Sequence, residues 1–194
     1  MTTSHVDTDY PITKKIEIGF DEEADRLVFV TETVNHGIQT MVLTRRLLIV
    51  LLKNFEKLIL KVSKAIEASP QHKNEILEME SISAAERMQQ VMPESSNFIE
   101  NYSRSINLYL ITEIKTQIKE KIIILAFSGR EVSDLVSNSH SKIAISALRL
   151  DRQDAYNLFS MISKKADDAG WNISPSPAWL EKNDRVRPLL QTMN

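Results

Sequence analysis

The stretch Leu43–Ile66, LTRRLLIVLLKNFEKLILKVSKAI, constrains this chain more than any other, because hydrophobic periodicity changes inside it. Before Thr44 apolar and polar residues alternate, the period of a strand; after it apolar residues recur at i, i+3, i+4 and i+7, the period of an amphipathic helix. Threonine suits the junction, since its hydroxyl accepts from an otherwise unpaired N–H of the first helical turn. Leu48, Leu51, Leu52, Phe55, Leu58, Ile59, Val62 and Ile66 then line up as one stripe that is expected to face a core. A spanning helix needs about 20 consecutive apolar residues, and the uninterrupted run Leu47–Leu52 stops at Lys53. The segment reads as a core helix, with no membrane as partner.

The flanking patterns extend this into a fold. Residues 1–11 are polar, end in Tyr10-Pro11 and read as a flexible arm. TKKIEIGF and RLVFVTET are strands joined by the acidic turn Asp21–Asp25, and Asn35-His36-Gly37 turns the chain into a third strand, IQTMVL. The first long helix is expected to end at Ser69-Pro70. Residues 71–92 are helix-prone but weakly amphipathic, with Leu77, Ala84, Met88 and Val91 as their best stripe. Ser83 and Glu86 form a candidate capping box there, so this part reads as a mobile helical excursion. ESSNFIENYSRS is loop.

A second half follows the same order. INLYLITEIKTQI and KIIILAF form a hairpin turning at Lys119-Glu120; the polar stretch Ser128–Ser141 has room for one short helical turn; KIAISALRL is a strand. Asp151 repeats the N-cap logic, and Asp154 places negative charge where the helix dipole favours it. The stripe Ala155, Leu158, Phe159, Ile162 and Ala166 marks the last helix, with Gly170 just past its end and Trp171 after that. Trp179 and Leu180 are expected to fold a Pro-spaced tail back onto the body.

The expected fold is therefore α+β: two antiparallel β-meanders, each followed by an amphipathic helix, with a helical excursion between them. The boundaries are an arm at 1–11, one domain at 12–183 and a tail at 184–194. Within the domain, 12–68 and 105–170 are the two halves, 69–104 the excursion and loop, and 171–183 a packed segment. The recurring β-β-β-α order suggests internal duplication, with two three-stranded sheets and two helices about a pseudo-twofold axis. Its identities are few, chiefly Arg45 with Arg152 and Leu51 with Leu158, and patterned strands and capped helices resemble one another for generic reasons.

Composition removes several function classes. A chain of 194 residues with 42% hydrophobic and 26% charged residues can build one core, which argues against wholesale disorder. A net charge of -2 does not suit a surface that is basic all over. The absence of cysteine excludes disulfides, thiolate metal sites and thiol nucleophiles, and fits a cytoplasmic location. The glycines, Gly19, Gly37, Gly129 and Gly170, are too dispersed to cradle a pyrophosphate. His5, His36, His72 and His140 lack the spacing that puts two imidazoles on one metal, and the acidic turn lacks the glycine and final glutamate of an EF-hand loop. Ser139 and Lys142 match Ser-x-x-Lys, but they precede a strand where the motif should open a helix. No metal or cofactor is expected, and no catalytic constellation stands out.

The informative surface is the back of the first helix. Arg46, Lys53, Lys57 and Lys64, with Arg45 and Lys61 beside them, form a basic ridge that suits phosphate, anionic lipid or an acidic partner, although a solvated helix face has the same look. Ile49, Val50 and Leu60 also lie off the core face, at about 120° to 140° from its centre. Large aliphatics there call for a second layer: the excursion, the tail or another subunit. The leading expectation is a non-catalytic interaction or assembly protein, as a homodimer or with another protein. The alternative is a nucleic-acid-associated protein using the ridge. A third reading is an enzyme whose site assembles from His36, His140 and Arg130.

Overall fold

The computed structural model describes residues 10–91, 108–135 and 142–173. Three strands, β1 (Thr13–Asp21), β2 (Arg26–Thr33) and β3 (Gly37–Leu43), lead into helix α1 (Arg45–Val62). A short helix α2 (Lys64–Ala68), a 3-10 turn and helix α3 (Lys73–Val91) follow. Strands β4 (Leu108–Lys119), β5 (Ile122–Glu131) and β6 (Ile143–Leu150) then precede helix α4 (Arg152–Asp168). The expected α+β pattern and its strand–helix order hold.

The two meanders do not form separate sheets. β3 and β4 pair in parallel through Thr40–Leu108, Met41–Tyr109 and Val42–Leu110, so all six strands join one sheet in chain order. Every other neighbouring pair is antiparallel. The β-β-β-α order recurs, but a common origin of the halves is not established by it.

The sheet is strongly curled. Phe29 on β2 and Phe127 on β5 stand three strand spacings apart, about 14 Å in a flat sheet, yet their rings meet edge to face at 6.0 Å. Ser146 on β6 likewise reaches Met41 on β3, Oγ to Sδ at 3.6 Å. The arm closes the curl at one end. The Ala147 amide donates to the Pro11 carbonyl at 2.8 Å, and the Val34 amide to that of Ile12 at 3.0 Å. Tyr10 and Ser128 share a hydroxyl–hydroxyl bond of 2.7 Å. Tyr10-Pro11, expected to be loose, is thus held by an exposed edge strand that needed a partner.

The concave face carries Leu27, Phe29, Met41, Leu43, Ile111, Ile123, Leu125 and Phe127, all but sealed from solvent, and α1 and α4 fill it. Phe55 of α1 stacks on Phe159 of α4 at 4.5 Å. Of the stripe read from sequence, every member is buried except half-buried Leu52, and Ile66 falls on α2. Both caps form as expected: Leu47 N–H donates to Thr44 Oγ1 at 3.3 Å, and Asp154 N–H to Asp151 Oδ1 at 2.8 Å. Burial, and then the charge of Asp151, raise the Asp154 carboxyl above its ordinary pKa. α4 ends in a Schellman motif, with Gly170 at φ +68 and Trp171 N–H bonded to the Ala166 carbonyl at 2.9 Å. Trp171 is buried, meets Phe20 edge to face, and donates its indole N–H to Asp25 at 2.6 Å. The acidic turn Asp21–Asp25 is therefore a docking point for the end of α4.

Several local expectations change. α1 stops at Val62, short of Ser69-Pro70. α3 runs unbroken through Ser83, so the candidate capping box has no helix start to cap. The β4–β5 turn is Glu120-Lys121, one residue later than expected, with both residues at positive φ as a tight hairpin demands. β5 continues through Ser128–Glu131 before the expected helical turn, Val132–Leu135. Trp179, Leu180 and the tail, the loop 94–105, His5, His140, Ser139 and the side chains of Met88 and Val91 lie outside the described residues.

Gly129 has a packing role that its sequence surroundings conceal. It pairs with Ile111 beside the bulge of β4, and any Cβ at this position would overlap the Leu110 carbonyl. Gly129→Ala is expected to lower stability by about 1–3 kcal/mol, the usual cost of overpacking. An unchanged urea midpoint would show that the strands separate freely there.

Candidate interaction surface

The concave sheet takes one side of α1 and leaves the other outward. Arg45, Arg46, Lys53, Lys57, Lys61 and Lys64 are all exposed. Among the described residues none of them has an ion-pair partner. Glu56, the nearest carboxylate on the helix, is instead drawn to Lys73 at the start of α3, at 3.1 Å. Removing that acid from the ridge leaves the cations to set its potential.

The three off-core aliphatics separate. Leu60 is half-buried and packs onto the main core. Ile49 is half-buried but belongs to no apolar cluster among the described residues. Val50 is 49% exposed. Arg46, Val50, Lys53, Lys57 and Lys61 follow i, i+4, i+7, i+11 and i+15 on α1, so Val50 is the aliphatic member of a cationic stripe, and Lys64 lies past the break on α2. Of the surface read from sequence, Arg46, Lys53, Lys57 and Lys61 share one side of α1 with Val50, Arg45 and Lys64 lie off that stripe, and Leu60 packs inward.

A second polar arrangement has no counterpart in the sequence reading. Glu80, on the buried side of α3 with Leu77, Ser81 and Ala84, points its carboxylate into the junction of three helices. Oε1 accepts from the Ser63 hydroxyl at 2.9 Å and from the Arg152 guanidinium at 2.8 Å. Oε2 accepts from the Tyr156 hydroxyl at 3.1 Å. Burial first, and the Glu80 charge second, push the Tyr156 pKa up, which keeps its hydroxyl a donor.

Ser63 explains why α1 ends early. Its amide donates to the Ile59 carbonyl at 3.1 Å, closing α1, and its hydroxyl accepts from the Ile66 amide at 3.3 Å, opening α2. The same hydroxyl donates to Glu80. One serine thus breaks the helix and fixes α3 against it. The available signal was an acid on the Leu77–Ala84 side of a weakly amphipathic helix, which needs partners when buried.

The remaining candidates disperse. His36 is exposed in the β2–β3 turn with its amide on Thr33, while Arg130 lies within β5. His72 is exposed in the 3-10 turn after α2. Lys142 pairs with Glu113, and this bond is the main influence lowering the Glu113 pKa. No family model, curated protein or solved structure matches the chain.

Glu80→Ala is expected to cost about 1–3 kcal/mol, because Arg152 and Tyr156 are left without their acceptor. Urea unfolding measures it. A loss within about 0.5 kcal/mol, the range of ordinary surface substitutions, would show that the junction holds without the network.

Proposed function

We propose that this chain is a non-catalytic assembly protein that self-associates through the solvent face of α1. The observation behind the reading is the stripe Arg46, Val50, Lys53, Lys57 and Lys61, exposed, with its four cations without ion-pair partners among the described residues. A rigid helix presents these charges at fixed spacing, and such a surface selects and steers an acidic partner. The aliphatic at its centre adds contact area where long lysine stems can cover it. The absence of cysteine supports a cytoplasmic setting.

Sedimentation equilibrium at tens of micromolar is expected to show association in the wild type, weakened by salt and by Lys53→Glu with Lys57→Glu. A wild type that remains monomeric overturns the reading.

The same ladder of cations supports a second reading, in which nucleic acid is the partner and the ridge contacts phosphates. Affinity for a short duplex would then fall steeply with salt, the slope dropping by about one for each lysine removed. Fluorescence anisotropy with no detectable binding at low salt, or with a slope unchanged in Lys53→Ala, removes that reading.

A further inference from the structure

The counterpart of the α1 stripe exists on the same molecule. On α3 the buried side is Leu77, Ser81 and Ala84, anchored by Glu80. The opposite side presents Glu75, Met79, Ile82 and Glu86, of which Glu75, Met79 and Glu86 are exposed and Ile82 is half-buried. Met79 is 71% exposed. Large exposed hydrophobics are few among the described residues: Val34, Val50, Met79 and Ile143. Two of these four sit within oppositely charged helical stripes, which is where a helix pair would use them.

The spacings agree. Arg46, Val50, Lys53 and Lys57 follow i, i+4, i+7 and i+11, and so do Glu75, Met79, Ile82 and Glu86. This pattern reads the same in both directions. Whichever way two such helices run, end positions meet end positions and inner positions meet inner ones. Arg46 and Lys57 therefore face the two glutamates, while Val50 and the Lys53 stem lie over Met79 and Ile82. Each stripe spans about 16 Å at 1.5 Å per residue, three turns of matched surface.

Neither glutamate is neutralised from nearby. Among the described residues Glu75 and Glu86 have no ion-pair partner, Arg87 is turned to Gln153 of α4, and Lys73 is held by Glu56.

Resting on the reading of α1 as an assembly surface, we propose that its occupant is α3 of a second copy of this chain. The cationic stripe Arg46–Lys57 of one copy pairs with the acidic stripe Glu75–Glu86 of the other. A single contact between stripes this short buries less than the roughly 1,000 Å² of a stable interface. A twofold dimer makes the contact twice, since each copy offers both stripes. The pair is then moderate in affinity and sensitive to salt, because its charged ends stay near solvent.

The test is a charge exchange followed by sedimentation velocity, with circular dichroism confirming that each variant is folded. Arg46→Glu/Lys57→Glu and Glu75→Lys/Glu86→Lys are each expected to weaken self-association at least about tenfold, since each places like charges in opposition. An equimolar mixture of the two variants is expected to recover association, because each supplies the stripe the other has lost. Association of Glu75→Lys/Glu86→Lys equal to wild type, with the α1 variant impaired, overturns the pairing and leaves α1 as the contact surface. A mixture that stays monomeric also overturns the pairing. A monomeric wild type removes the assembly reading itself.

Discussion

Because β3 and β4 pair in parallel, the two meanders share one hydrogen-bonded surface, and that surface curls until Phe29 and Phe127 touch. A curled sheet has an apolar hollow that only something narrow and apolar can fill. α1 and α4 do so, joined through the stack of Phe55 on Phe159. Once the Leu48–Ile66 stripe is committed to the hollow, the opposite side of α1 has to face outward, with whatever charges the sequence placed there. The cationic surface follows from the packing of the helix that bears it.

The polar junction at Glu80 sets the other half of the arrangement. α3 has little apolar periodicity, so hydrophobic burial alone fixes its rotation weakly. A carboxylate bound by Ser63, Arg152 and Tyr156 fixes it by geometry, and thereby turns Glu75, Met79 and Glu86 outward. Directional bonds serve here to choose one rotation of a helix, whatever their net contribution to stability. The orientation of both candidate stripes thus depends on what is buried behind them.

How much of this the sequence disclosed depends on whether the cause was local. The switch of period at Thr44 and the caps at Thr44, Asp151 and Gly170 were legible, because each is decided within one helical turn. Arg46, Lys53, Lys57 and Lys61 were legible as one side of a helix for the same reason. The parallel pairing of β3 with β4 was not, since it joins segments separated by more than sixty residues (Leu43 to Leu108), and nothing in either strand names its partner. The break at Ser63 looked like uninterrupted helix, because the Glu80 carboxylate that its hydroxyl binds lies on another element. Gly129 and Asp25 looked like turn residues; their roles are a backbone contact across β4 and an acceptor for Trp171. The Glu75–Glu86 stripe was obscured by the weak amphipathicity of α3, which directed attention to a helix start at Ser83 that does not exist.

The central claim is that the outward face of α1 is a contact surface in solution. The most direct measurement is acetylation of lysines, followed by mass spectrometry, on dilute and on concentrated protein. Lys53 and Lys57 are expected to lose reactivity as concentration rises, while Lys14 and Lys164, exposed on β1 and α4, stay unchanged. Equal reactivity of Lys53 and Lys57 at both concentrations, in a protein shown to associate, would contradict it.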